Sequence, residues 1–198
     1  MKIALFDTRV GNLHSLAKAL EAGGAEVRIE PDPTKLLDAD ALVIPGVGAF
    51  DAAAERLASA APELRAALRD GFPALGICLG LQLLFESSEE GTQRGLAVLP
   101  GRVRRLRARR VPHMGWNAVE AGGDPIFLGA EDLIAYYAHS FAAEPADPAC
   151  VVAWTEYEGD RFPAAVRCAR AIGVQFHPEK SGEAGLRVIR NFLEEARG

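Results

Sequence analysis

Cysteine is scarce in this sequence, and its few cysteines form no pattern of their own. Three occur among 198 residues, Cys78, Cys150 and Cys168, and none belongs to a C-x-x-C pair. Such an odd, widely spaced set indicates neither a disulfide framework nor a zinc site. We therefore expect a reduced, cytoplasmic protein with no metal and no cofactor.

Long hydrophobic runs and a surplus of positive charge are also missing. No apolar stretch reaches membrane-spanning length, and the first residues, Met1 to Asp7, are typical of a strand rather than of a signal peptide. The net charge of −5 does not favour binding to nucleic acid or to an anionic membrane. The 49% of apolar residues can build the core of one domain, which we expect to span residues 1–198.

The apolar residues that are present alternate between strand and helix patterns. Short apolar runs at 2–6, 27–29 and 41–44 enclose a segment, 13–20, with leucines at helical spacing. A long Ala-rich helix is predicted over 51–70, with a break at Pro62. This order predicts an α/β fold with an open, mostly parallel sheet and helices on both faces.

The second half of the chain has a different character. Runs at 151–154, 164–167 and 171–176 predict a meander, which adds an antiparallel strand region to the sheet. Ser181 is placed to cap a final helix with a stripe of apolar residues.

The segment Gly76-Ile77-Cys78-Leu79-Gly80 joins a buried strand to an apolar helix that is expected to end near residues 86–88. It is the cysteine form of the G-x-S-x-G elbow, in which a sharp turn lifts the nucleophile clear of the sheet. Gly is needed on both sides because side chains there would collide with the strand and helix. The alternative is that Cys78 is inert core filler, as most lone cysteines are.

His177 and Glu179 follow another apolar run, ninety-nine residues after Cys78. Because parallel strands end on one side of a sheet, His177 could meet Cys78 and take its proton. Glu179, just past Pro178, could orient the imidazole as the third member of a triad. An oxyanion would then need donors, and the N–H of Leu79 and the loop 45–48 are candidates. That loop is also compatible with a plain strand-to-helix turn.

Three other features have two interpretations each. Residues 102–110 contain six arginines in nine positions and predict a half-exposed hairpin, as a solvated face or as a docking surface for an acidic partner. Trp116 lies in an unusual stretch, 111–117, and can be interpreted either as an interface residue or as a core residue. His139 could be catalytic, but a structural role is favoured.

The elbow and His-Pro-Glu together resemble the class I, triad-type glutamine amidotransferases, a flavodoxin-like fold family. Further segments resemble the glutaminase subunits of imidazole glycerol phosphate synthase within that family, in order along essentially the whole chain. These are Gly-Asn-Leu at 11–13, Pro-Gly-Val-Gly at 45–48, Pro-His-Met-Gly-Trp-Asn at 112–117, Tyr-Tyr-Ala-His-Ser-Phe at 136–141 and His-Pro-Glu-Lys-Ser at 177–181.

This resemblance implies a role for each matching residue. Cys78 would attack the side-chain amide of glutamine to give a glutamyl thioester and ammonia, with His177 moving protons and Glu179 orienting it. The N–H groups of Val47 and Leu79 would hold the oxyanion. The remaining implied contacts are with glutamine at Gly48, Gln82, Ser140 and Phe141, and with the partner at Asn12, Trp116, Tyr136 and Lys180.

The implied partner is a (β/α)₈ barrel cyclase subunit, which would form a heterodimer with this chain and receive the ammonia. It would make imidazole glycerol phosphate and an aminoimidazole carboxamide ribonucleotide in histidine biosynthesis. The chain length leaves no room for an acceptor site of its own. Two alternatives remain: a glutaminase of another synthase, such as that of pyridoxal phosphate or anthranilate synthesis, and a non-catalytic redox-sensing module of the same fold.

Overall fold

A computed structural model of the chain describes residues 1–9, 13–46 and 48–198. The strands are β1 Lys2–Phe6, β2 Glu26–Glu30, β3 Ala41–Ile44, β4 Ala74–Ile77, β5 Ser87–Ser88, β6 Gly101–Arg105, β7 His113–Ala118, β8 Glu120–Ala121, β9 Ile134–His139, β10 Phe141–Pro145, β11 Val151–Tyr157, β12 Asp160–Cys168 and β13 Ala171–Val174. The α-helices are α1 His14–Ala22, α2 Phe50–Leu57, α3 Ala61–Arg69, α4 Leu79–Gln82 and α5 Gly182–Arg197.

The main sheet confirms the predicted α/β fold. Its strand order is β2-β1-β3-β4-β13-β12-β11-β8, and the five strands from β2 to β13 run parallel. The last three strands add the antiparallel region. Because β3, β4 and β13 are neighbours, the loops that follow them meet at the carboxyl end of the sheet, where ligands bind in open α/β sheets.

Helices cover both faces of this sheet, as predicted. On one face α1 and α5 bury Leu20 and Phe192, and on the other α2 and α3 bury Leu57 and Leu68. Complete burial of such a side chain contributes about 1.5–3 kcal/mol. The site therefore rests on a sheet with an apolar layer on each side.

Two helical predictions need comment. The long helix breaks as expected: α2 ends, a short 3-10 turn follows, and Pro62 lies in the first turn of α3. The elbow helix is much shorter than predicted, because α4 ends at Gln82. The carbonyl groups of Leu83 and Leu84 accept hydrogen bonds from Leu96 and Leu99 of a later loop, which replaces a continued helix.

Residues 102–110 are half-exposed, as predicted, with only Arg104 of their six arginines buried, but the predicted hairpin is wrong. Its first part is β6, the central strand of a three-stranded sheet of order β10-β6-β5. Since β10 begins more than thirty residues later in the chain, no local turn marks the pairing. Arg104 is buried and binds both carboxylate oxygens of Asp160, at 2.6 and 2.8 Å, so it is neither a solvated nor a docking residue. Burial opposes ionisation of Asp160, but hydrogen bonds from Arg104 and Arg107 N lower its pKa overall.

A separate antiparallel ribbon of β7 and β9 stands beside the carboxyl end of the sheet, with Trp116 opposite Tyr136. Ser181 ties this ribbon to the chain after β13: its hydroxyl donates to His177 O and accepts from Tyr136 N. The prediction that the Ser181 side chain caps α5 is therefore wrong, since its hydroxyl is already engaged. Within the described residues, no helix has the length and apolarity needed to cross a membrane.

Candidate active site

Three strand ends converge on one cavity of about 430 Å³ at the carboxyl end of the sheet. Gly46 follows β3, Cys78 follows β4 and His177 follows β13. The cavity is lined by Gly46, Gly48, Cys78, Leu79, Gln82, Glu90, Pro112, Met114, Ala138, His139, Ser140, Phe141, His177 and Lys180.

Cys78 occupies the sharp turn that the elbow motif predicts. Its backbone has φ +48° and ψ −99°, an unfavourable conformation for a residue with a side chain, and its N–H donates to Val174 O. A Cβ at Gly80 would lie 2.1 Å from Ile44 O, and one at Gly76 would lie 2.6 Å from the Gly80 carbonyl. The two glycines therefore allow α4 to start against β3 and β4, which leaves Cys78 5% exposed at the cavity.

His177 is held between Cys78 and Glu179. Its Nδ1 lies 3.0 Å from Glu179 Oε1, and both side chains are buried. Burial alone would lower the pKa of His177, but hydrogen bonds to Cys78 and Glu179 raise it to about 9. An imidazolium next to the sulfur favours the thiolate, which is the nucleophilic form of cysteine.

The loop after β3 approaches Cys78 closely. A Cβ at Gly46 would lie 2.8 Å from the Cys78 Cβ and 3.0 Å from His177 Cε1, so only glycine fits there. Leu79, at the start of α4, also lines the cavity. Val47, the other expected oxyanion donor, and Asn12, an expected partner residue, lie outside the described residues.

The expected glutamine contacts are all at the cavity wall. Gln82 Nε2 donates to Phe141 O at 2.9 Å and to Gln175 Oε1 at 3.4 Å, so both of its hydrogens are used within the chain. The Gln82 amide oxygen is left to serve as an acceptor. Gly48, Ser140 and Phe141 line the same space.

A model of the family described as glutamine amidotransferase class-I matches residues 4–196. The imidazole glycerol phosphate synthase subunit HisH of a Synechococcus species, strain JA-2-3B'a(2-13), is 46% identical over 202 residues, covering 98% of this chain and 93% of the relative. The HisH subunit of Natronomonas pharaonis is 45% identical, covering 98% and 94%. The chain belongs to the class I glutamine amidotransferases, within the HisH subunits.

Solved structures of more distant amidotransferases share the fold. One described as a glutamine amidotransferase has a TM-score of 0.78 at 21% identity, with 99% of each chain covered. A glutamine amidotransferase from Thermotoga maritima has a TM-score of 0.69 at 20% identity, with 100% of this chain and 84% of that one covered. They support the amidotransferase fold alone.

Two polar residues of this amidotransferase site were missed at the sequence level. Glu90 lines the cavity, and its Oε2 accepts from Phe50 N at the start of α2. It lies in a polar segment that predicted only a loop. Gln175 lies behind Cys78 and donates to the sulfur at 3.5 Å. A signal for Gln175 existed, because it is the only polar side chain in the apolar run before His177.

His139 has the structural role that was favoured. Its Nδ1 donates to Phe141 O at 2.8 Å, and its Nε2 lies 3.1 Å from His113 Nδ1. Because Nδ1 of His139 must carry a proton, Nε2 is an acceptor and His113 donates to it. Burial lowers the pKa of His139 to about 3 and that of His113 to about 4, so both rings are neutral at physiological pH.

The ribbon of β7 and β9 carries an exposed apolar face next to the cavity. Met114 is 67% exposed, Trp116 60% and Ile134 57%, and all three lie on the same side of the ribbon. Trp116 contacts Tyr136 edge-on at 6.0 Å between ring centroids, and Lys180 Nζ lies 5.9 Å from the Tyr136 centroid. Trp116 is therefore a surface residue rather than part of the core.

The described residues contain no group of three or more histidine, cysteine or carboxylate side chains arranged to hold a metal ion. Their three cysteines are all free thiols.

Proposed function

We propose that Cys78, His177 and Glu179 form the triad with which this class I amidotransferase hydrolyses glutamine to glutamate and ammonia. The observation that carries the proposal is His177 held between a thiol and a buried carboxylate at a cavity. The family match over residues 4–196 supports a single amidotransferase domain over 1–198. It does not favour a redox-sensing module, which would need neither His177 nor Glu179.

Each triad member has a defined step. Cys78 Sγ, having given its proton to His177, attacks the side-chain amide carbon of glutamine. The negative charge that develops on the amide oxygen is assigned to the N–H group of Leu79, and to that of Val47 from the motif alone. His177 returns the proton to the leaving nitrogen, and ammonia departs as the thioester forms. Water, activated by His177, then attacks the thioester and releases glutamate and the free thiol.

The cavity wall provides groups of the right charge for glutamine. The carboxylate of Glu90 and the free amide oxygen of Gln82 can accept hydrogen bonds from an α-ammonium group, whereas Gly48, Ser140 and Phe141 surround the remaining space. Glu90 was not expected from the sequence. Its position gives the site a preference for a zwitterionic amino acid over a simple amide.

We assign the exposed ribbon face to a cyclase subunit with a (β/α)₈ barrel, which would use the ammonia to make imidazole glycerol phosphate. The named relatives are synthase subunits, and the apolar face of Met114 and Trp116 lies beside the cavity mouth. A docked partner there could receive ammonia directly. Tyr136 and Lys180 border the same face, and Asn12 is assigned to it from the motif alone.

Glutamate release from glutamine tests the proposed activity. The chain would be assayed alone, with the purified cyclase of a HisH-containing synthase, and with that cyclase plus its ribonucleotide. We expect turnover that rises with the liganded partner, and none in any mixture with Cys78→Ala. Full activity of Cys78→Ala would rule out Cys78 as the nucleophile. Stimulation by the partner of a different synthase, and not by the cyclase, would instead support the alternative that this chain is the glutaminase of another synthase.

Trp116→Ala tests the docking face. A central aromatic anchor contributes about 2 kcal/mol or more to binding, so its removal should raise Kd roughly 30-fold. Calorimetry with the cyclase subunit would measure it, and Trp154→Ala, which removes a tryptophan that Arg161 covers on the main sheet, is the matched control. An unchanged Kd for Trp116→Ala would remove this ribbon from the interface.

A further inference from the structure

Gln175 lies directly behind the nucleophile but has no step in the mechanism above. Its side chain is completely buried and does not line the cavity, so it cannot touch glutamine. Its Nε2 is a donor to Cys78 Sγ at 3.5 Å, an ordinary distance for an N–H to sulfur hydrogen bond. Its backbone N–H donates to Ala164 O, which fixes the residue at the end of the β12–β13 ladder.

The orientation of the Gln175 amide is set by its neighbours. Its Oε1 accepts from Gln82 Nε2 at 3.4 Å, and Gln82 Nε2 also donates to Phe141 O. If the Gln175 amide were flipped, its NH₂ would face the NH₂ of Gln82 and its oxygen would face the sulfur. The NH₂-to-NH₂ contact would be repulsive, and so would the contact between the oxygen and an ionised sulfur, so the NH₂ group is directed at Cys78.

The same chain of hydrogen bonds continues away from the site. Phe141 O accepts a second hydrogen bond from His139 Nδ1, whose Nε2 is paired with His113. Gln82 is thus fixed at both of its N–H groups by buried or backbone partners. The Gln175 amide consequently rests on a network that leaves it a single orientation.

We propose that Gln175 is a positioning residue that stabilises the Cys78 thiolate alongside its imidazolium partner. This inference rests on the proposed function, because it requires Cys78 to act as the nucleophile. When His177 takes the thiol proton, the negative sulfur faces the imidazolium and also the Gln175 NH₂. A hydrogen bond to an ionised acceptor is stronger than one to a neutral group, so Gln175 favours the ionised form.

A packing role alone does not account for this residue. The neighbouring strand positions are fully buried and apolar, and an amide there is costly unless its polar atoms are paired. Methionine would fill similar space without that cost. What the amide adds is the donor to sulfur and the acceptor for Gln82.

The test is alkylation of Cys78 by iodoacetamide as a function of pH in Gln175→Met, followed on the Cys78 peptide by mass spectrometry. We expect the alkylation rate at pH 7 to fall about tenfold and the half-maximal rate to move up by about one pH unit. The kcat for glutamine should fall by about 10- to 100-fold, with a smaller change in KM, because Gln175 acts through the sulfur.

Asn191→Leu is the matched control. Asn191 is also a buried amide, but its NH₂ donates to the carbonyl groups of Ile126 and Leu128, away from the cavity. This variant should lower the melting temperature and leave the alkylation profile and kcat unchanged. Gln175→Glu is a second variant that keeps the size and the acceptor for Gln82 but places an oxygen at the sulfur. It should lose at least as much reactivity as Gln175→Met.

The outcomes separate this inference from the proposed function. If Cys78→Ala keeps full turnover, the nucleophile assignment fails. If turnover requires Cys78 but either folded Gln175 variant is alkylated and turns over like the unmodified chain, only the role of Gln175 is overturned.

Discussion

Two histidine environments in this amidotransferase have similar burial but different charge, since one holds an imidazolium and the other two neutral rings. His177 sits between a thiol and a carboxylate, and its pKa rises to about 9. His139 and His113 sit against each other, a carbonyl group and aromatic rings, and burial lowers their pKa values to about 3 and 4. Burial penalises the charged form in all three cases. The difference shows that an anionic partner, rather than depth, decides which imidazole can hold a proton.

The largest expected effect comes from removing the charged histidine. In the proposed mechanism His177 accepts the Cys78 proton and returns it to the leaving nitrogen, so the glutaminase activity of His177→Ala should fall by roughly 10³-fold or more, as for other triads. Steady-state kinetics would measure this. His139→Ala, a buried histidine without an anionic partner, is the comparison and should retain far more of kcat. An equal loss of kcat in the two variants would contradict the different roles given to His177 and His139.

Glu179→Gln should have a smaller effect on the charged histidine, because it keeps the shape of the side chain beside His177 and removes only its charge. Glu179 Oε1 is 3.0 Å from His177 Nδ1, whereas Oε2 is buried with no hydrogen-bond partner among the described residues. Without the carboxylate the pKa of His177 should fall, and kcat should drop by about 10- to 100-fold.

The measurement for Glu179→Gln is the imidazole titration by NMR together with kcat. Glu183→Gln, on the exposed first turn of α5, removes a carboxylate from the same segment and is the control. A His177 titration in Glu179→Gln that matches the unmodified chain would show that Cys78 alone maintains the charge.

The parts of the fold and of the candidate site that could be predicted are those encoded by short, local sequence patterns. The strands β1, β3 and β4, the elbow at Cys78 and the placement of His177 at a strand end follow from short apolar runs and turn residues. Topology then brings the strand ends together, because neighbouring parallel strands end on the same side. The proposed triad of Cys78, His177 and Glu179 needed no knowledge of distant pairing beyond that rule.

The failures share a physical cause, which is pairing across long sequence separations. β6 pairs with a strand more than thirty residues later, and Arg104 finds its carboxylate at Asp160, fifty-six residues away. Ser181 was expected to cap a helix, but its hydroxyl binds across to the ribbon instead. Local patterns predict that such residues are polar, not which partner satisfies them.

The smallest expected effect is on the stability of the protein in acid, and it comes from the two neutral histidines, His113 and His139. Because the folded pKa of His113 is about 4 and lies below its ordinary value of 6.5, the unfolded chain binds the proton first as pH falls. The free energy of unfolding should therefore decrease between about pH 6.5 and 4, at up to about 1.4 kcal/mol per pH unit from this residue. His177 has the opposite sign: its contribution is kept below pH 6.5 and lost as pH rises through about 9.

His113→Phe isolates that acid slope. Phe keeps the stacking on Tyr137 and Tyr157, at 4.7 and 4.0 Å between ring centroids, but cannot titrate. We expect a loss of about 1 kcal/mol at pH 7.5 from the missing hydrogen bond to His139, and a shallower decline toward pH 5 in urea unfolding. Tyr157→Phe, which leaves every histidine in place, should decline as steeply as the unmodified chain. An unchanged slope in His113→Phe would mean that the acid sensitivity comes from other groups and that the neutral pair does not shape stability.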